Sequence, residues 1–316
     1  MTSIVFMGTP SFSVPILQAL VDNDYEIKAV VTQPDKPVGR KHQIQKSPVK
    51  VLAEQLGIKV LQPSKISGSQ EMDEIIQMQP DFIVTAAFGQ FLPTKLLESV
   101  KIAAINVHGS LLPKYRGGAP VQYAIMNNDK QTGVTIMYMV KKMDAGDMIA
   151  KQAIDITSDD DTESMFEKLS YVGRDLLIDT LPKIINQTIK PIKQDEQAVV
   201  FSPNITPEQE VLDFSVSAVL VDAKVRALRP NPGAYTFLNG KRTKIWKTEI
   251  IDQSTDLQYG EVVKKTKKEL WIAAGENSVI SILELQPAGK PKQKIGDYLN
   301  GIGQSIKEGQ QVIINE

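Results

Sequence analysis

From residue 4 to about residue 154 the chain alternates short apolar runs with amphipathic stretches, and no other feature narrows its fold so far. The runs at 4–7, 27–31, 82–87, 102–107 and 134–139 are too short for buried helices and carry β-branched residues, so they read as buried strands. Between them, 14–21, 48–56 and 121–127 carry apolar residues at helical spacing. Strand–helix alternation of this kind implies an α/β domain with a largely parallel sheet covered by helices. A long amphipathic helix over 162–185, with Met165, Leu169, Val172, Leu176 and Leu177 in step, is expected to close that domain.

Residues 186–210 change character. Pro191, Pro203 and Pro207 sit among Gln, Asn, Asp and Glu, the composition of a linker. Beyond it, 211–228 is expected as one helix. Strand-like runs follow at 234–238, 244–251, 260–264, 270–274, 279–286 and 311–314. Many short strands with few helices suggest a small, OB-like β-barrel. The expected division is a first domain over 1–189, a linker over 190–207 and a carboxyl-terminal barrel over 208–316. A length of 316 residues, 42% hydrophobic, supplies enough apolar surface for two cores.

Composition removes several kinds of chemistry. With no cysteine, disulfides, thiolate metal sites and a cysteine nucleophile are excluded together. The two histidines, His42 and His108, are far apart and lack zinc-site spacing, so a protein working without a metal is expected. After the first strand, Gly8-Thr9-Pro10-Ser11-Phe12 holds one glycine where a dinucleotide fingerprint wants three. A Rossmann-like sheet without NAD is therefore expected. The amino terminus has no basic n-region, and no apolar stretch approaches the roughly 18 residues of a spanning helix. A soluble, cytoplasmic protein with no membrane contact is expected, and a monomer. The net charge of −1 does not advertise nucleic acid, so local basic clusters have to be weighed one by one.

Residues 106–118 read N-V-H-G-S-L-L-P-K-Y-R-G-G. Asn106 and His108 are two apart at the end of a strand, so both side chains point to one face. An amide and an imidazole converging at the carboxyl edge of such a sheet suit a polar reaction there. Acyl or formyl transfer to an amine, for one, needs a donor for the developing oxyanion, a proton-transfer group, and a third group to orient it. Asn106 fits the first service and His108 either of the first two. Asp144, in the Gly-containing turn after the strand at 134–139, is the expected third member. A parallel arrangement would bring that turn to the same sheet edge. Singly, each has a duller role: Asn106 as a turn cap, His108 as a satisfied strand-end residue, Asp144 as a turn former.

Together with T-G-V-T-I-M at 132–137 and D-A-G-D at 144–147, this stretch resembles the folate-dependent formyltransferases. The likeness extends over essentially the whole chain, through G-T-P at 8–10, Q-P-D-K-P-V-G-R at 33–40, S-P-V-K at 47–50, L-D-F at 212–214 and L-Q-P-A-G-K at 285–290. These segments point to the subgroup whose acceptor is initiator methionyl-tRNA. The resemblance implies 10-formyltetrahydrofolate as formyl donor and Asn106, His108 and Asp144 as the catalytic trio. It further implies Ser110, Leu111, Leu112 and Pro113 as cofactor contacts. A pterin-pocket wall is implied at 87–92, including Phe88, Gly89, Gln90 and Leu92. It also implies Arg40 as a basic residue reaching the tRNA acceptor end. The chain departs from the pattern at 41–46, K-H-Q-I-Q-K in place of a more uniformly basic run, and carries Phe88 where tyrosine is frequent.

Basic residues cluster locally. Lys36, Arg40, Lys41, Lys46 and Lys50 share the early loop with Asp35 as the lone acid. Lys241, Arg242, Lys244 and Lys247 fall close together, as do Lys264, Lys265, Lys267 and Lys268, and Lys290, Lys292 and Lys294. Arg40, Lys41, Lys241, Arg242 and Lys244 are the expected tRNA contacts; a merely solvated surface is the plain alternative. Rival functions are a formyltransferase acting on a sugar amine or glycinamide ribonucleotide, and a non-catalytic RNA-binding protein.

Overall fold

A computed structural model describes residues 1–38 and 43–314. Two compact units emerge: Met1–Pro120, Gln131–Asp155 and Met165–Pro203 form the first, and Val121–Lys130, Ile156–Ser164 and Asn204–Glu316 the second.

The first unit contains β1 (Ser3–Gly8), α1 (Val14–Asp22), β2 (Glu26–Val31), β3 (Lys36–Val38), β4 (Gln43–Gln45), α2 (Pro48–Gln55), β5 (Val60–Leu61), α3 (Gln70–Met78), β6 (Phe82–Ala86), α4 (Thr94–Leu97) and β7 (Ala103–His108). After α5 (Pro120–Met126), which belongs mainly to the second unit, come β8 (Gln131–Tyr138), β9 (Met148–Asp155) and α6 (Thr162–Ile185). Seven strands form one sheet in the order β5-β2-β1-β6-β7-β8-β9, while β3 and β4 make a separate hairpin. Pairing is parallel from β5 to β7. All six residues of β1 and all five of β6 are buried, as expected for central strands covered on both faces. Local chemistry sets the helix starts. The Ser47 and Ser69 hydroxyls accept the Lys50 and Met72 N–H groups at 3.1 Å, which caps α2 and α3.

Two sequence expectations need correction here. The strand at 134–139 was expected to lie parallel; β8 instead runs antiparallel to β7 and continues into β9, also antiparallel. A hairpin edge needs no crossover helix, and none separates β8 from β9. The stretch 190–207 was expected as a linker, but up to Pro203 it belongs to the first unit. Ile192 exchanges backbone hydrogen bonds with Met148 at 2.8 and 2.9 Å, and Val200 and Ser202 bond Arg116 at 2.9 and 2.8 Å. Its polar side chains conceal a backbone that pairs like an edge strand.

The second unit holds α7 (Ala218–Leu228), β10 (Tyr235–Leu238), β11 (Lys241–Ile251), β12 (Val262–Lys265), β13 (Leu270–Ala274), β14 (Ser278–Pro287), β15 (Gln293–Lys294) and α8 (Ile295–Leu299). The antiparallel order is β10-β11-β14-β13-β12, with β15 on β14. The final segment stitches the two edges together: Asn239 N–H bonds the Val312 carbonyl at 2.8 Å, and Val312 N–H bonds Gly260 at 3.0 Å. Bridges Leu238–Ile313 and Glu261–Gln311 complete the closure into a small barrel, which hides the edges. The helix expected over 211–228 starts only at Ala218. Ahead of it, the Leu212 N–H bonds the Tyr235 carbonyl at 2.7 Å, Phe214 opens a turn, and both side chains are buried in the core.

Among the described residues no helix is long and apolar enough to cross a membrane. Phe214 is fully buried in the barrel core with Val221, Ile245, Ile272 and Ile280. Phe214→Ala should therefore cost about 3–5 kcal/mol of stability. Urea unfolding checks this, and a loss below about 1 kcal/mol would place Phe214 outside the core.

Candidate active site

Strand β7 carries Asn106 and His108 on one face at its carboxyl end. Thr85, opposite Asn106 on β6, donates from Oγ1 to Asn106 Oδ1 at 2.8 Å. The amide oxygen is thus occupied and Nδ2 is left to donate; among the described residues nothing accepts from it. His108 is only 6% exposed. Its Nε2 lies 2.9 Å from the Tyr115 carbonyl oxygen, which can only accept, so Nε2 carries the proton. The other nitrogen, Nδ1, faces Asp144 Oδ2 at 3.7 Å. That gap is an ion-pair distance and longer than a hydrogen bond.

The loop after β7 is held by its own polar groups. Ser110 Oγ donates to the Lys114 carbonyl at 2.7 Å. Thr135 Oγ1 donates to the Ser110 carbonyl at 2.7 Å and accepts from the Leu112 N–H at 3.1 Å. Leu112 is fully buried against Met137 and Met148, whereas Leu111 and Pro113 remain partly exposed. Tyr115 takes a left-handed φ of 65°.

Asp144 arrives from a loop that leaves β8 level with Ala104, where Met139 N–H bonds the Ala104 carbonyl at 2.9 Å. It still brings its carboxylate to His108, two residues beyond Asn106. Asp144 has φ 49°, and its Oδ2 accepts the Gly117 N–H at 2.9 Å. Gly146 is required by close approach, since a Cβ there would run into the Tyr138 carbonyl. Gln194 Nε2 donates to the Asp144 and Gly146 carbonyls, both at 2.8 Å. Arg116, fully buried, donates from Nε to Gln194 Oε1 at 2.9 Å and from one terminal nitrogen to Glu196 at 2.8 Å. Lys142 reaches the other Glu196 oxygen at 2.8 Å. The Arg116 guanidinium, then the Lys142 ammonium, hold the Glu196 carboxyl down to about 2.

The expected pocket wall is only partly a wall. Phe88 and Leu92 belong to the sheet core with Val5, Met7 and Ile83. The Gln90 amide is occupied, accepting from Ile66 N–H at 2.7 Å and donating to the Pro63 carbonyl at 3.1 Å. What faces outward is backbone at Ala87 and Gly89, with φ 47° and 84°, and the exposed ring of Phe91.

Arg40 and Lys41 lie outside the described residues. Nearby, Lys50 pairs with Asp35 and Lys46 with Glu54, both at 2.7 Å. In the second unit Arg242 and Lys244 share a face of β11, while Lys241, also exposed, falls on the other side. Arg242 lies 3.9 Å over the Tyr235 ring and 3.5 Å from Glu210. Lys244 donates to the Pro232 carbonyl at 2.6 Å beside Trp246. Sequence reasoning missed Thr85, Tyr115, Arg116, Gln194 and Glu196. Each acts through a tertiary contact, and Gln194 and Glu196 sit in a stretch whose composition signals only a linker.

The family description "Formyl transferase" matches residues 1–181, and "Formyl transferase, C-terminal domain" matches residues 204–303. The chain belongs to the formyl transferase family. It is 63% identical to methionyl-tRNA formyltransferase of Pediococcus pentosaceus, over 100% of this chain and 99% of that protein. It is 61% identical to methionyl-tRNA formyltransferase of Ligilactobacillus salivarius, over 100% of both. Among solved structures, an N-formyltransferase from Helicobacter canadensis, in complex with folinic acid and dTDP-3-aminofucose, shares the fold. Its TM-score is 0.70 at 20% identity, over 91% of this chain and 100% of that one.

A pH prediction follows for this formyl transferase. Glu196 ionises more readily folded than at its ordinary value of 4.5, so its stabilisation is present above 4.5 and is lost as pH falls towards about 2. Glu196→Gln should be less stable than the parent at neutral pH, with the difference closing across that window. Urea midpoints measured from pH 2 to 7 check it. The difference should also shrink in salt, because Glu196 is 60% exposed.

Proposed function

We propose that this chain transfers the formyl group of 10-formyltetrahydrofolate to the α-amino group of initiator methionyl-tRNA, in the cytoplasm. What supports the proposal is His108 lying 3.7 Å from Asp144, with Asn106 two residues before it on β7, in a chain that aligns end to end with methionyl-tRNA formyltransferases. The folate, when bound, supplies an activated formyl group attached to nitrogen. The formyl carbon's bond to that nitrogen breaks, a bond to the amine forms, and one proton passes from the amine to the folate nitrogen.

The residues divide this work. An α-amine has a reference pKa of about 7.7–8.0, so part of it is neutral and nucleophilic near neutral pH. Asn106 Nδ2, free because Thr85 occupies Oδ1, donates to the formyl oxygen as charge gathers there. Such a donor is worth roughly 2.7–4 kcal/mol in the transition state. His108 exchanges protons through Nδ1, since Nε2 is held by Tyr115. Asp144 keeps the ring oriented and balances the charge it gains. Outward backbone at Ala87 and Gly89, the Phe91 ring, and partly exposed Leu111 and Pro113 offer the apolar and polar mixture a pterin needs.

In this proposal the barrel, over 208–316, holds tRNA through Lys241, Arg242 and Lys244, with Arg40 and Lys41 acting from the early loop. Replacing Lys241, Arg242 and Lys244 with Ala should weaken tRNA binding and flatten its salt dependence; an unchanged slope would remove them from the interface.

Formylation assayed in parallel with charged initiator tRNA, a nucleotide-linked sugar amine and glycinamide ribonucleotide should give turnover with the tRNA alone. Turnover only with the sugar amine, or tRNA binding without turnover, would overturn the proposal. Asn106→Ala and His108→Ala should each lower kcat by roughly 100–1000-fold while leaving tRNA affinity nearly unchanged.

A further inference from the structure

We infer that Gln194, inside the stretch whose composition signals a linker, is a positioning residue for Asp144. The inference rests on the proposed role of Asp144 and concerns what fixes that carboxylate in place.

Gln194 is 9% exposed, and its amide is used at both ends. Nε2 gives its two hydrogens to two carbonyls of one turn, those of Asp144 and Gly146. Oε1 accepts from Arg116 Nε. The turn needs such a partner. Asp144 sits in the left-handed region at φ 49°, and Gly146 has no room for a side chain. Without donors, the buried Gly146 carbonyl and the part-buried Asp144 carbonyl would both lose their partner, which favours rotation of their peptide planes. Rotation at residue 144 moves the carboxylate that faces His108.

The second link concerns the ring itself. Tyr115, whose carbonyl holds His108 Nε2, is the residue immediately before Arg116. Gln194 is thereby hydrogen-bonded to the neighbour of one ring partner and to the backbone of the other. One buried amide spans both arms that hold the imidazole. Glu196 repeats the span through Arg116 and Lys142, but it is 60% exposed, where ion pairs contribute little. The buried neutral amide is the better placed of the two to set the geometry.

The experiment compares D144A, Q194A, Q194E and the double variant D144A/Q194A in the full chain, reading kcat and KM for both substrates and folding by urea titration. A misplacement of about 1 Å near the reacting atoms can cost a hundredfold. Q194A should therefore lose roughly tenfold to a hundredfold in kcat, with both KM values held within about twofold. Q194E keeps the acceptor for Arg116 but has no N–H for the two carbonyls, so it should be no more active than Q194A. In the double variant kcat should equal that of D144A alone, because Gln194 acts through a carboxylate already removed. Parental kcat in Q194A, recovery in Q194E, or a further independent loss in the double variant would each overturn the inference. If Q194A does not fold, Q194E, which keeps the size and the Arg116 contact, decides it by its kcat. Parental kcat in D144A would instead defeat the catalytic reading of Asp144, an outcome separate from any result at position 194.

Discussion

The contact between His108 Nε2 and the Tyr115 carbonyl constrains everything around it, because a carbonyl accepts and never donates. The ring proton is assigned to Nε2, and Nδ1 becomes the one nitrogen available for exchange. A carboxylate that is to steady the ring must then approach from the Nδ1 side, which is where Asp144 stands. The loop after β7 is accordingly built for backbone placement. Thr135 ties down two of its groups, Lys151 donates to the Leu112 carbonyl at 3.1 Å, and Leu112 anchors it in apolar surroundings. A buried imidazole whose partner is backbone cannot be re-aimed by a change of rotamer at that partner.

Bringing Asp144 there depends on an irregular edge of the sheet. In an all-parallel sheet the turn after each strand would project from the same rim as His108. Here β8 runs the other way, so its following loop begins beside Ala104, away from that rim. The register shift between Ile136 and Met137, the left-handed φ at Asp144 and the side-chain-free position at Gly146 let the loop turn back within a few residues. Such a turn leaves carbonyls pointing inward. The stretch around Gln194 and Glu196 supplies donors and charge to satisfy them and their neighbours.

Legibility in the sequence follows how local each signal is. The helix over 162–185 and the central strands of the first unit stood out, since a buried strand needs an apolar run and an amphipathic helix a repeat, both visible in a short window. The edge strand β9 did not, because half of it is exposed and it lacks clean alternation. The helix expected from 211 began late because apolar residues at 212 and 214, two apart, would fall on opposite sides of a helix, and the Tyr235 carbonyl takes the Leu212 N–H. Asn106 and His108 were readable from spacing of two on a strand. Asp144 was readable as a turn residue, though through a parallel geometry that β8 does not have. Gln194 left no trace, because its meaning lies entirely in contacts with residues 48, 50 and 78 positions away.

The basic residues of the barrel show the same principle on a surface. A net charge of −1 hides them, and clustering in sequence does not say which are available. Arg242 is stacked on Tyr235, and Lys244 is drawn to a carbonyl beside Trp246, so both heads are already restrained on one face of β11. Restraint before binding reduces the side-chain entropy lost when a phosphate is met. One terminal nitrogen of Arg242 is also 3.5 Å from Glu210, an ion pair a phosphate would have to compete with. Lys241 is exposed on the opposite side of the strand. For the proposed tRNA contact, Arg242 is the one of the three whose planar guanidinium can meet a phosphate with two N–H groups, once Glu210 gives way, so charge alone does not rank them.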